Sequence, residues 1–169
     1  MSPEPRILIQ NNFHMICGWE ALLFVVLRAA PTVASMRSMQ EELMQRAVRQ
    51  NDGKVGLMVV VGERMPIPTP EVREVLASPP PGYFERIAAV ATVYEGSGFR
   101  AATVRSVSLA IRILSKVDHP SEVFSNISTA SAWMCDQLRQ GGHANLTTQQ
   151  MTEAVQRMQK LADLPVAAA

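Results

Sequence analysis

Cysteine is scarce in this chain of 169 residues. There are two, Cys17 and Cys135, far apart in sequence. A small secreted domain stapled by disulfides would carry several at regular spacing, so the pair reads as two small buried hydrophobes in a reducing compartment. An excess of charge is missing as well. Lysine and arginine total 16 against 15 acidic residues, a net charge of +1. That balance gives no overall pull toward nucleic acid or an anionic membrane. Long apolar runs are absent. The longest, 21–27, falls far short of the roughly 20 residues needed to span a bilayer. The opening residues, MSPEPRILIQNN, hold no apolar core of signal-peptide length. The expectation is a soluble, cytoplasmic protein without membrane insertion. Catalytic signatures are lacking too. There is no P-loop and no G-x-S-x-G, and His14, His119 and His143 stand without the spacing or cysteine company of a zinc site. No catalytic residue, metal or cofactor is assigned.

What is present is a core. Hydrophobic residues make up 47% and charged residues 18%, enough apolar side chain to exclude wholesale disorder. The length suits one domain. Residues 7–9 and 13–19 read as short extended segments. LLFVVL (22–27), VGLMVVV (55–61) and IAAVATVY (87–94) are continuous apolar runs that fit buried strands. Helical patterns lie between them. One begins near Thr32 with Val33, Met36, Met39, Leu43, Met44 and Ala47 on one side, and Asn51-Asp52-Gly53 stops it. Thr69-Pro70-Glu71 is a cap, a first-turn proline and a first-turn acid, so a short helix starts there with Val72, Val75 and Leu76. A long helix over 99–116 places Val104, Val107, Ile111 and Leu114 at helical spacing. A strand over 122–124, a helix over 127–138 and an amphipathic helix over 148–164 complete the chain. Strands alternating with helices predict an α/β sandwich with a mostly parallel sheet of about five strands. The organisation expected is an α/β domain over 1–140, a Gly-rich linker over 141–147 and a C-terminal helix over 148–164 appended to the same domain.

Three stretches carry this order most clearly: VGLMVVV, IAAVATVY, and PSEVFSNISTASAWM with its Ala130, Ala132 and Trp133. Over roughly residues 13–138 they resemble the STAS superfamily, in its SpoIIAA-like branch of anti-sigma factor antagonists, which is related in shape to lipid-binding Sec14 domains. The resemblance implies a STAS-like sandwich and a cytoplasmic regulatory module of bacterial signalling that acts by binding a partner protein, with homodimerisation in reach. In anti-sigma factor antagonists a kinase modifies a serine in a D-S-S-G turn. Here GERMPIPTPEV occupies that place. The motif is absent, which speaks against a phosphorylation switch, and Thr69 is the candidate phosphosite left.

The turn EGSG (95–98) feeds a helix N-terminus. Read functionally, Ser97, Gly98 and Arg100 form an anion site. Read structurally, the turn is a tight βα connection whose glycines allow positive φ, with Ser97 as cap. Arg105 and Arg112 are seven apart, so they align as a basic face or as a solvated one. Met65 and Ile67 are apolar in a loop near the strand ends, where open α/β sheets bind ligands. Met151, Val155 and Met158 line one side of the last helix, which packs on its own domain or docks on another chain. The sequence therefore supports two readings. One is a non-enzymatic interaction module using Met65, Ile67, Arg105, Arg112 and the last helix. The other is a binder of a small ligand (a nucleotide, phosphate ester or lipid) at loops 62–70 and 95–100.

Overall fold

A computed structural model describes residues 4–49, 53–143 and 145–163. The elements run β1 (Arg6–Gln10), β2 (His14–Trp19), β3 (Leu22–Leu27), α1 (Val33–Arg49), β4 (Val55–Val60), α2 (Pro70–Ala77), β5 (Ile87–Val93), α3 (Gly98–Ser115), β6 (Ser121–Phe124), α4 (Ile127–Gln140) and α5 (Thr148–Ala162). A single 3-10 turn, Phe84–Arg86, leads into β5. The strands form one six-stranded sheet in sequence order. The first three make an antiparallel meander and β3 to β6 run parallel. The sheet thus has one strand more than the sequence suggested. The stretch around 7–9 pairs with β2 as an edge strand, with a bulge between Ile7 and Ile9.

Strand order fixes where the helices go. Each parallel crossover is right-handed as a rule, and α1, α2 and α3 all connect strands stepping in one direction across the sheet. All three are therefore laid on the same face. The opposite face has only the residues after β6 to cover it. That role falls to α4 and α5.

The face under α4 and α5 is closed. Met15, Cys17, Phe24, Met58, Ala89, Ala91 and Val93 point into it and meet Ala130, Met134 and Leu138 of α4 and Met151, Val155 and Met158 of α5. Every one of these is buried, and each Met, Leu, Val or Phe among them contributes about 1.5–3 kcal/mol through apolar area alone. The approach is close enough that β4 needs a glycine. A Cβ at Gly56 would collide with the Sδ of Met134. Both helices start on capped ends. Asn126 accepts from the backbone N–H of Thr129, and Thr147 forms a reciprocal capping box with Gln150. The other face is covered differently. Ile16, Leu23, Val25, Val55 and Leu57 pack under Met36, Met39, Leu43 and Ala47 of α1 and Val72 and Val75 of α2. Thr69 caps α2 by accepting from Val72, with Pro70 and Glu71 behind it as the sequence indicated. Beyond α2 lies α3, and there the packing stops. Of its 18 residues only Ala101 is buried. Gly53 is described; Asn51 and Asp52, expected to end α1, lie outside the described residues.

Candidate functional site

Of the residues of α3 that sequence spacing placed on one side, Val104, Val107 and Ile111 are half-buried, and Leu114 is exposed. The reason is a cavity of about 220 Å³ between α3 and the sheet. Its floor is Leu57 and Val59 of β4 and Val90 and Thr92 of β5, its roof is Val104, Val107, Ser108 and Ile111, and its inner wall is Met36, Met39, Leu76 and Tyr83. β5 creates it by alternation. Ala89, Ala91 and Val93 are buried on the closed face, while Val90 and Thr92, facing the other way, are only half-covered.

The cavity runs the length of the parallel strands. At the carboxyl end its lining is Val61, Met65, Pro66, Ile67, Tyr94 and Arg100, and at the amino end Arg112, Val117, His119 and Ser121. From Arg100 to Arg112 the helix rises about 18 Å at roughly 1.5 Å per residue. The carboxyl end is bridged. Arg100 donates from its Nη2 to the carbonyl of Met65 at 2.8 Å, tying the start of α3 to loop 62–70. The amino end carries charge of both signs. Lys54, Lys116 and His119 line a second, more open depression there together with Glu85 and Asp118. His119 packs its ring against Phe84, centroids 5.6 Å apart, and its buried Nε2 has no hydrogen-bond partner. Burial holds the imidazole below its ordinary value, and Arg112 and Lys54 push the same way, while the Pro120 carbonyl opposes them. Deeper inside, Gln40 is engaged, donating to the Val75 carbonyl at 2.9 Å, and burial drives the Tyr83 phenol far above its ordinary range, so it stays protonated.

The structure brings Met65, Ile67, Arg100 and Arg112 to this one cavity. It separates the others. Ser97 stands at the N-cap of α3 but its side chain makes no capping hydrogen bond, and Gly98 adopts φ 66° as the glycine-turn reading required. Ser97, Gly98 and Arg100 are all exposed, and the Arg100 guanidinium is turned to the Met65 carbonyl rather than to the turn's amides. Thr69 is exposed, and its hydroxyl oxygen accepts from Val72 as the cap of α2. Arg105 projects from α3 into solvent. Met151, Val155 and Met158 are no surface at all. They are fully buried against β2, β3 and α4, because the face they cover has no other cover.

Sequence reading missed Tyr83, Phe84, Val90, Thr92 and His119 as lining. It also left His14 alone, whereas folding sets its Nε2 3.3 Å from the Glu42 carboxylate, tying β2 to α1. Among the described residues no nucleophile is hydrogen-bonded to that pair, and no three His, Cys, Asp or Glu side chains are grouped to hold a metal. Cys17 sits in the closed core, where burial pushes its thiol up to about 11 with Arg28 opposing, so it is a poor nucleophile. One signal for the cavity was present in α3 itself. Phe99, Leu109 and Ile113 add a second apolar side to the one that carries Val104, Val107, Ile111 and Leu114. A surface helix commonly has a single apolar stripe, and this one has two.

No protein-family model matches the chain, and no curated protein or solved structure is significantly similar to it. No helix among the described residues is long and apolar enough to cross a membrane.

Proposed function

We propose that this chain is a non-enzymatic, STAS-like binding module whose ligand is an elongated apolar small molecule held beneath α3. The observation that carries the reading is the cavity: one side of α3 is apolar and half-buried over a void lined almost wholly by carbon. Its volume of about 220 Å³ exceeds the roughly 150 Å³ apolar cavity that takes up benzene and falls below the roughly 300–1,000 Å³ of drug-sized sites. A slender chain suits it better than a nucleotide, whose base and phosphates need more polar partners than the lining offers. An acyl chain is the simplest such molecule. The STAS-like part of the reading is supported by the strand–helix alternation after β3 and by the closing β6–α4 pair, where Phe124 meets Trp133 at 5.3 Å between ring centroids.

Fluorescence titration with cis-parinaric acid, a slender fatty acid, tests the reading. Saturable binding at one site is expected, displaced by an unlabelled fatty acid. Val107→Phe fills the void from the roof and abolishes the binding while the melting temperature holds or rises. A wild-type chain that leaves the probe dark, or a Val107→Phe chain that binds as well as wild type, rules the reading out.

A further inference from the structure

The outward side of α3 is a separate feature from the cavity under it. Among the described residues, four of the seven large apolar side chains that are strongly exposed lie on this helix: Phe99 at 86%, Ile113 at 66%, Leu114 at 58% and Leu109 at 55%. At 100° per residue Leu109, Ile113 and Phe99 fall on one side, away from Val104, Val107 and Ile111, while Leu114 is exposed at the border of the cavity side. Ser106 and Thr103, on the same side, satisfy their hydroxyls by donating to the Ala102 and Phe99 carbonyls at 3.0 and 2.9 Å, so they add no demand for water.

The charge along this side is of one sign. From Gly98 to Ser115 the helix holds three arginines and no acid. Arg105 and Arg112, with Lys116 just beyond the helix end, flank the apolar stripe along one edge. Arg105 and Arg112 are exposed, and their guanidinium groups make no hydrogen bond or ion pair with any described residue. The near-neutral total of +1 thus conceals a local concentration of positive charge beside exposed leucine, isoleucine and phenylalanine. An apolar strip bordered by unpaired cations matches the interface of an anionic lipid bilayer, where side chains of that kind enter the acyl boundary and arginines meet lipid phosphates.

We infer that the outer side of α3 docks the protein on anionic lipid surfaces, as a peripheral contact at head-group level. The charge complementarity selects this occupant. A second copy of the same face would set Arg105, Arg112 and Lys116 against their like. The inference stands apart from the cavity reading, since vesicle binding is read without any cavity ligand, and it survives if parinaric acid fails to bind.

The experiment is co-sedimentation of the full chain with phosphatidylcholine vesicles, with and without phosphatidylglycerol, beside its mass in solution by light scattering. The expected result is a monomer that sediments with phosphatidylglycerol vesicles, stays in solution with pure phosphatidylcholine, and is released by high salt. Arg105→Gln with Arg112→Gln lowers the partition at least tenfold, on the order of the effect of two cations at an anionic surface. Leu109→Ser with Ile113→Ser lowers it comparably, and circular dichroism checks that both variants fold. Arg6→Gln with Arg37→Gln removes equal charge from exposed sites elsewhere and leaves the partition as it was. No sedimentation with anionic vesicles overturns the inference. So does an equal loss in the Arg6/Arg37 control, which would mean diffuse attraction. A dimer dispersed by Leu109→Ser with Ile113→Ser overturns it in favour of a second copy on this face.

Discussion

One sheet has two faces, and they are finished differently. Under α4 and α5 most inward side chains of the central strands are buried, the helices are capped by Asn126 and by the Thr147–Gln150 box, and a glycine is needed at position 56 to let Met134 in. Under α3 the strands are half-covered, the helix begins without a side-chain cap, and its inner residues border empty space. Both faces are made of the same kinds of residue. What separates them is that one set of contacts closes on itself and the other leaves room. A protein selected only for stability gains by closing both, so the open face is where function is to be sought.

Deleting buried carbon on each face breaks the comparison most directly. Leu138 is fully enclosed by the closed core, and Leu138→Ala should cost about 2–5 kcal/mol, the range for enclosed large-to-alanine changes. Ile111 is half-buried over the cavity. Since it already lacks partners on one side, Ile111→Ala should cost under about 1 kcal/mol, well below the usual range. Urea unfolding of the two variants measures both. Equal losses would show that α3 is as well packed as α4.

Adding a methyl group asks the reverse question. Gly56→Ala drives a Cβ into the buried Met134, and overpacking of that kind costs about 1–3 kcal/mol. At Gly62, at the mouth of the open face, a Cβ meets nothing within 4 Å, and Gly62→Ala should lie within about 0.5 kcal/mol of wild type. Thermal unfolding of the pair checks this. A smaller contrast lies in the caps. Thr147→Ala removes a capping box at α5 and should cost about 1 kcal/mol, whereas Ser97→Ala removes a side chain that caps nothing at α3 and should cost only a few tenths.

The closed face was legible from sequence because each of its parts announces itself locally. VGLMVVV and IAAVATVY are strands by composition, Thr147 and Asn126 are caps by type, and Met151, Val155 and Met158 recur at helical spacing. What spacing could not say is whether that last stripe meets this chain or another. Sheet topology decides it, because three crossovers on one face leave the other bare. The open face was hardly legible. Met65, Ile67 and Arg100 were noticed as odd in a loop and a turn, yet Thr92, Tyr83 and His119 come from three separate segments that only the fold brings together. Net charge misled as well, since a sum over the chain cannot report that α3 carries three arginines and no acid.

Titration separates the two faces at opposite ends of the pH scale. Cys17, in the closed core, has its thiol pushed up to about 11 by burial. Its folded value lies above the unfolded one, so the stability it secures is present below roughly pH 8.5, the ordinary thiol value, and is lost as pH rises toward the folded value. His119, at the end of the cavity, is held below the ordinary histidine value of about 6.5, chiefly by burial. There the unfolded chain binds the proton first, so stability falls as pH drops from about 6.5 toward the folded value and levels off below it. Imidazole titration by NMR should therefore place the His119 midpoint under about 6.5. Because burial is the larger cause, opening the roof with Ile111→Ala should raise that midpoint more than removing a nearby charge with Arg112→Gln. If the charge change moves it further than the roof change does, the site is governed by its cations rather than by its dryness. The cavity would then suit an anionic head group better than a hydrocarbon chain.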